Sequence, residues 1–168
     1  MMPNSGLLKL TTRGDREVVM TRTFDAPRQL VWDCLTKPDL VRRWLLGPPG
    51  WTMPVCQIDL RVGGAFRYLW RHTDGTEMGM GGVYREIAAP ARLIATERFD
   101  QPWYPGGDAV GTILLAEKDG RTDLTQSVEY PSAESRAIAL KTPMADGVAM
   151  SYDALARLLA EVGATKGG

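Results

Sequence analysis

Glu97 is the side chain whose position best suits a chemical role. Alternation along the segment from Arg92 to Phe99 places Glu97 on one face with Leu93 and Ala95. If this face is the interior one, desolvation raises the pKa of the carboxyl, which can then anchor a polar ligand group or act as a general acid. If it is the outer face, Glu97 is a surface carboxylate paired across the strand. The alternation alone leaves both interpretations open.

Other kinds of catalytic or cofactor site find no support in the sequence. His72 is the one histidine and lies at a predicted hairpin turn, so neither a histidine metal site nor a Ser-His-Asp triad is indicated. Two glycine clusters, at 63–64 and at 79, 81 and 82, do not stand between a strand and the start of a helix, as the glycines of a phosphate-binding loop do, so such a loop is excluded. We therefore expect no metal, no cofactor and no catalytic residue, a pattern that favours a protein other than an enzyme without deciding the question.

Aromatic and methionine side chains recur on the predicted inner faces. Each one alone is explained by core packing, but adaptable Met and aromatic side chains around a concave surface are typical of an apolar ligand site. Gln126 and Tyr130 alternate with Leu124 and Val128, which favours interior positions that need hydrogen-bond partners. The predicted ligand-binding residues are Trp44, Trp51, Phe66, Tyr68, Trp70, Met78, Met80, Tyr84, Glu97, Phe99, Gln126, Met144, Val148 and Tyr152.

Composition limits the possible partners and compartment. Lys plus Arg equals Asp plus Glu at 20 each, so no net field attracts nucleic acid, and no apolar run approaches the roughly 20 residues of a membrane span. The N-terminus lacks the basic and then apolar layout of a signal peptide. Cys34 and Cys56 have no motif spacing and are interpreted as free thiols, which favours a reducing, cytoplasmic location.

The elements that must position these residues follow an α+β order within a single domain, residues 1–168. We expect 1–15 to be a mobile lead-in and 163–168 a mobile tail. Period-two patterns and turn residues predict strands, with hairpins at Asp74-Gly75 and Asp119-Gly120. Helical spacing predicts two short helices after the first strand, a weaker helix over 132–140, and a long last helix from Met144 to Val162. The predicted strands are 17–24, 55–60, 65–71, 77–87, 92–99, 111–117 and 122–130.

Six local strings occur in a characteristic order and spacing. They are Thr21-Arg22-Thr23-Phe24-Asp25-Ala26-Pro27, Asp59-Leu60-Arg61-Val62-Gly63-Gly64, Gly82-Val83-Tyr84-Arg85-Glu86-Ile87, Thr96-Glu97-Arg98-Phe99, Tyr130-Pro131-Ser132 and Met144-Ala145-Asp146-Gly147-Val148. Together they resemble the START-related (SRPBCC) superfamily, in the branch named after the C-terminal domain of the activator of the heat-shock-protein-90 ATPase. The resemblance covers residues 21–159 and implies a helix-grip fold, in which a curved antiparallel sheet of about six or seven strands wraps around the last helix. One departure is Trp44-Leu45-Leu46-Gly47-Pro48, where members often carry paired Trp, and this changes the lip of the expected pocket.

The resemblance implies a domain that holds a hydrophobic or amphipathic small molecule in a cavity between the sheet and the last helix. Two alternatives remain open because one fold hosts many functions. One is an interaction protein that modulates a chaperone ATPase in a stress response. The other is an enzyme of cyclase or dehydratase type that uses Glu97, Tyr68 or Tyr84 in the same cavity. Exposed edge strands would also permit a homodimer.

Overall fold

The computed structural model describes residues 7–167, and the side chains of residues 7–163. It is an α+β structure in which eight strands form one antiparallel sheet and four helices accompany it. The elements in chain order are β1 (Lys9–Arg13), β2 (Glu17–Phe24), α1 (Arg28–Thr36), α2 (Pro38–Val41), β3 (Trp51–Ile58), β4 (Ala65–His72), β5 (Glu77–Ala88), β6 (Arg92–Phe99), β7 (Ala109–Lys118), β8 (Arg121–Glu129), α3 (Ala133–Leu140) and α4 (Met144–Gly167).

The sheet is open and curved, with the strand order β1-β2-β8-β7-β6-β5-β4-β3. A single crossover, between β2 and β3, contains the two short helices, and β3 to β8 then form a continuous meander. The hairpin between β7 and β8 turns at Asp119 and Gly120, whose positive φ angles of 54° and 76° suit a tight two-residue turn. Gly75, with a φ of 93°, lies in the turn between the antiparallel strands β4 and β5, so both predicted hairpins are confirmed.

The concave face of the sheet is buried against α4. Strand β2 alternates between half-buried and buried positions, which is the pattern of a strand with one face toward the core. Helix α4 has 24 residues and is about 36 Å long, so it reaches across the sheet. Its Tyr152, Leu155, Leu158 and Leu159 side chains are buried, and the sheet and this helix therefore enclose the interior between them.

Both predicted terminal segments contain regular structure. The expected lead-in includes β1, which pairs with β2 from Lys9↔Thr21 to Arg13↔Glu17 and makes the sheet eight-stranded. This strand was missed because its side chains are mostly exposed and lack apolar alternation, so backbone pairing defines it. At the other end of the chain α4 continues to Gly167, so helix extends into the segment expected as a tail. Residues 1–6 and 168 lie outside the described part of the chain.

Candidate functional site

A band of polar side chains divides the concave face into two apolar regions. On β2, Arg22 lies between Met20 and Phe24, and each of these two belongs to a different core cluster. On β8, Gln126 divides the face in the same way. Because apolar groups pack on both sides of this band, its polar side chains need hydrogen-bond or ion-pair partners. The first cluster includes Phe24, Trp44, Phe66, Tyr68, Trp70, Tyr84, Leu93, Leu115, Leu124, Tyr152 and Leu155; the second consists of Val18, Met20, Tyr104, Ala109, Val128, Tyr130 and Ala139.

Glu97 lies at the far end of this polar band, on β6. Its neighbour along the inner face, Ala95, packs on the first cluster, and Phe99 contacts Trp103, which packs on the second. The structure therefore decides that Glu97 faces the interior. Its side chain is half-buried, so some of its surface stays accessible although it lies inside the fold. A side chain that lines a hollow has this combination of properties. We call Arg22, Gln126 and Glu97 the polar band.

The floor beside Glu97 is made of small residues. Strand β7 places Ala109 opposite Glu97 and Gly111 opposite Ala95. A Cβ atom on Gly111 would lie 2.1 Å from Oε2 of Glu97, so the carboxyl extends over this glycine. Gly82, on the other neighbouring strand, also carries no side chain. The glycine at position 111 thus provides the space that the Glu97 carboxyl itself occupies.

The Glu97 carboxyl has no partner among the described residues. Neither a hydrogen bond nor an ion pair reaches it, and burial alone raises its pKa from 4.5 to about 7. Desolvation penalises the charged form of a carboxyl that lacks a donor or a cation, which is the physical cause of the increase. At neutral pH the group is therefore divided between its protonated and its ionised forms.

Tyrosine side chains from four parts of the fold lie around this carboxyl. Burial raises the pKa of Tyr68, Tyr104, Tyr130 and Tyr152, and the negative charge of Glu97 adds to the effect in each case. For Tyr104 the resulting pKa is about 12. These phenols consequently stay neutral at physiological pH and can donate or accept hydrogen bonds.

Three of these hydroxyls already have protein partners. The Tyr104 hydroxyl oxygen accepts the backbone N–H of Ala109. The Tyr152 hydroxyl donates to Oε1 of Gln126 at 2.5 Å, which ties α4 to the middle of the polar band. The Tyr130 hydroxyl donates to the Met144 sulfur at 3.6 Å, a weaker contact at the start of the same helix. The remaining capacity of the site lies with Glu97 and with the lone pairs of the phenol oxygens.

Arg22 is a member of the polar band that sequence reasoning did not select. Its side chain is buried, and Nη1 donates to Oδ1 of Asp153 on α4 at 2.7 Å. Its Nε atom is buried and has no hydrogen-bond partner among the described residues. The sequence did contain a signal for this position, because alternation along β2 places Arg22 on the same, otherwise apolar face as Val18 and Met20.

The loop between β6 and β7 contributes Tyr104, which was also missed. The ring of Tyr104 meets Tyr130 edge-on at 5.1 Å, and Trp103 meets Phe99 at 5.7 Å. The Ser135 hydroxyl of α3 donates to the carbonyl of Pro105 and holds this loop against the helix. The sequence signal was two adjacent aromatic residues inside a Pro- and Gly-rich loop. This loop closes the end of the concave face beside Glu97.

Several predicted ligand residues form the first cluster instead of lining the space at Glu97. The Trp44 indole donates to the carbonyl of Cys34 at 2.8 Å and stacks on Tyr152 at 5.9 Å. The Trp70 indole donates to the carbonyl of Leu45 at 2.7 Å. Their polar atoms are thus satisfied by the backbone, and both residues fix the segment that follows α2.

The remaining predicted residues divide between the cluster, the surface and α4. Phe66, Tyr68 and Tyr84 are buried and pack ring against ring, with centroid distances of 5.1 and 5.5 Å from Phe66 to its neighbours. Met78 is 43% exposed near the hairpin end of β5, so the structure does not bring it to the site. Trp51 lies beside His72 at the same end. Met80, Met144 and Val148 are half-buried and pack on the clusters.

A separate cavity of about 350 Å³ opens on the surface at the β7–β8 hairpin. Its lining is polar, and it does not lie between the sheet and α4, where the sequence predicted a ligand. Within residues 7–163 no group of three or more His, Cys, Asp and Glu side chains is arranged to hold a metal ion. Among residues 7–167 we find no helix with the length and hydropathy needed to traverse a bilayer. The cavity is lined by Thr23, Lys118, Asp119, Arg121 and Asp123.

Comparison with solved structures finds the same fold in several bacterial proteins. A protein of Rhodobacter sphaeroides is 28% identical, with a TM-score of 0.86 over 92% of this chain and 98% of the other. A protein of Chromobacterium violaceum is also 28% identical, with a TM-score of 0.73 over 87% and 98%. The AHSA1-like protein of Aeromonas hydrophila, at 20% identity and a TM-score of 0.60 over 82% and 93%, shares the fold.

Comparison with protein families agrees with these structural matches. No curated protein matches the sequence. The family described as Activator of Hsp90 ATPase homolog 1-like protein matches residues 25–160, a range that includes both short helices, the six strands from β3 to β8, and most of α4. Because this match spans most of the chain, the chain belongs to the family of Activator of Hsp90 ATPase homolog 1-like proteins.

Proposed function

We propose that this protein binds an amphipathic small molecule between the concave face of the sheet and α4, with the polar end of the ligand at Glu97. One observation carries the proposal, namely an inward-facing carboxyl that has no partner in the part of the chain that the structure describes, set between two apolar clusters. Buried polar groups are normally hydrogen-bonded, so an unpartnered one calls for an explanation. A ligand that donates to Glu97 and lays its apolar part on the clusters supplies one.

The end of the sheet near β6 offers a route for such a ligand. Here the loop with Trp103 and Tyr104 and the first turns of α4 cover the second cluster. Both rest on Tyr130, whose ring meets Tyr104 edge-on and whose hydroxyl donates to the Met144 sulfur. The half-buried Met144 and Val148 belong to this cover. Entry at this end leads to Glu97 without disturbing the first cluster.

Binding fits the site better than catalysis. A carboxyl with a pKa of about 7 suits general acid–base chemistry, which keeps the cyclase or dehydratase alternative open. However, burial makes the surrounding phenols weaker acids, so they suit hydrogen bonding to a ligand more than proton transfer. The geometry therefore supplies one titrating group and several neutral donors, which is the layout of a recognition site.

A role on a chaperone ATPase is the second candidate, and it rests on the family description and one surface feature. Leu60, Val62 and Val83 are exposed, and backbone hydrogen bonds between the Gly63–Gly64 turn and Tyr84 hold their segments together. Stimulation of a purified chaperone's ATP turnover, lost in Val62→Asp, would favour this candidate. A purified protein that has no effect on that turnover would remove it.

Native mass spectrometry of freshly purified full-length protein tests the binding proposal, with release and identification of any bound molecule. We expect a small-molecule adduct that is lost from Gly111→Ala, because the added methyl group and Glu97 cannot occupy their present positions together. Glu129→Gln changes an exposed carboxylate on β8 and is the matched control that should retain the adduct. An adduct that survives in Gly111→Ala at full occupancy would place the ligand elsewhere.

A further inference from the structure

We propose that the ligand of this site carries a basic amine, bound as an ammonium ion by Glu97, and an aliphatic chain that lies on the apolar clusters. This inference rests on the proposed function and specifies the chemical class of the ligand. The juxtaposition that supports it is a half-buried, inward-facing carboxylate near neutral phenols, with no cation among the described residues facing it.

The described titratable groups around Glu97 carry no positive charge. The titratable groups that face it are Tyr68 from β4, Tyr104 from the β6–β7 loop, Tyr130 after β8, and Tyr152 from α4. None of these groups is a cation. Gln126, the adjacent member of the polar band, is neutral, and its Oε1 already accepts from Tyr152.

The inward-facing cation of the polar band is already occupied. Arg22 is directed to α4, where its guanidinium binds Asp153 at 2.7 Å. Burial alone accounts for the raised pKa of Glu97, with no opposing contribution from Arg22. Therefore the described residues supply no counter-ion for the ionised form of Glu97.

An ammonium group matches these requirements. It has three N–H donors and no acceptor, so it can donate to the carboxylate and to the free lone pairs of the phenol oxygens at once. A charge buried in an apolar setting is stable only when it is paired, and this pairing would neutralise the site. The absence of a side chain at Gly111 lets the carboxyl lie directly over β7, where a Cβ atom would come within 2.1 Å of Oε2.

Other head groups match less well. A fatty acid would bring a second negative charge toward Glu97, and like charges in a low-dielectric site repel. An alcohol would donate one hydrogen bond but would leave the carboxylate charge uncompensated. We therefore expect affinity to decrease from amine to alcohol to acid when the alkyl chain is the same.

The test compares decylamine, decanol and decanoate by isothermal titration calorimetry at pH 8. Each ligand is used below its micelle-forming concentration, with the full-length protein freed of adducts. We expect decylamine to bind most tightly, and Glu97→Gln to weaken it at least about tenfold while changing decanol less than about threefold. Glu129→Gln controls for attraction of the amine to surface carboxylates and should leave all three affinities unchanged. Gln has the shape of Glu and removes the buried charge, so the variant is expected to fold.

The outcomes separate the two proposals. Equal affinities for the three ligands, or a decylamine affinity unchanged in Glu97→Gln, would overturn the amine inference and leave small-molecule binding standing. No binding of any alkyl ligand, together with a freshly purified protein that carries no adduct, would refute the proposed function itself. Tight decanoate binding that improves in Glu97→Gln would identify an acidic ligand and also overturn the amine inference.

Discussion

Replacement of Glu97 by Gln tests the electrostatics of the interior directly. In the folded protein the pKa of this carboxyl is about 7, against 4.5 without burial. The folded state therefore binds the Glu97 proton more tightly than the unfolded state does. Stability from this group is fully present below pH 4.5 and is lost as the pH rises through about 7. Gln carries no charge at any pH, so Glu97→Gln removes this dependence.

The magnitude follows from the two pKa values. A difference between 4.5 and about 7 corresponds to at most about 3 kcal/mol, an upper limit because part of the side chain contacts water. We expect Glu97→Gln to match the wild type near pH 4.5 and to exceed its free energy of unfolding by up to about 3 kcal/mol at pH 8. For a chain of this size, such a gain raises the melting temperature by roughly 6 to 12 °C.

Urea denaturation of ligand-free protein, followed by tryptophan fluorescence from pH 4.5 to 8.5, measures this difference. Titration of every other group is common to both proteins and cancels in the comparison. Glu129→Gln, at an exposed position, should show a difference from wild type that does not change with pH. If the difference for Glu97→Gln is equally flat across this range, Glu97 is not desolvated and the assignment of the polar band is wrong.

Three further substitutions test the packing around the site by urea denaturation at neutral pH. Gly82→Ala should lower the free energy of unfolding by roughly 2 to 3 kcal/mol, because its Cβ would lie 1.8 Å from a backbone carbonyl of the adjacent strand, which cannot move aside. Gly111→Ala should lower it clearly less, since its Cβ meets only a movable carboxyl. Equal losses in the two variants would contradict this view. Asp153→Ala should cost about 2 kcal/mol by leaving the buried guanidinium of Arg22 unpaired, reduced from a fully buried pair because Asp153 is half exposed; a loss that high salt abolishes would instead indicate a surface pair. Ser132→Ala should cost about 1 kcal/mol, because the Ser132 hydroxyl oxygen caps α3 by accepting the backbone N–H of Ser135 at 3.0 Å. An unchanged denaturation midpoint would argue against this cap.

Much of the fold could be predicted from local patterns. The strands Glu17–Phe24 and Arg92–Phe99 are confirmed residue for residue, because alternation and flanking turn residues define both ends. The segment 132–140 is confirmed as a helix from Ala133, with Ser132 as its N-cap. The structure differs from the prediction at Lys9–Arg13, where mostly exposed residues carry no periodic apolar signal, and beyond Val162, where α4 continues to Gly167.

The candidate site was only partly within reach of such patterns. Gln126 and Tyr130 were predicted to face the interior, and the structure confirms both positions. Trp44 and Trp70 were selected for their ring type, but their indole groups bond to backbone carbonyls that lie 10 and 25 residues away in sequence. Tyr104 was missed because a loop has no periodicity that could assign it a face.

The sequence by itself determined the order of elements, the turns and the family, since these depend on residue types at short separations. It also determined that Glu97 shares a face with Ala95. Only the tertiary structure decided that this face is the concave one and that Arg22, Gln126 and the tyrosines lie on the same side. The physical reason is that alternation distinguishes two faces without saying which is buried. That choice is made when α4, far away in sequence, packs across the sheet and desolvates the side chains beneath it.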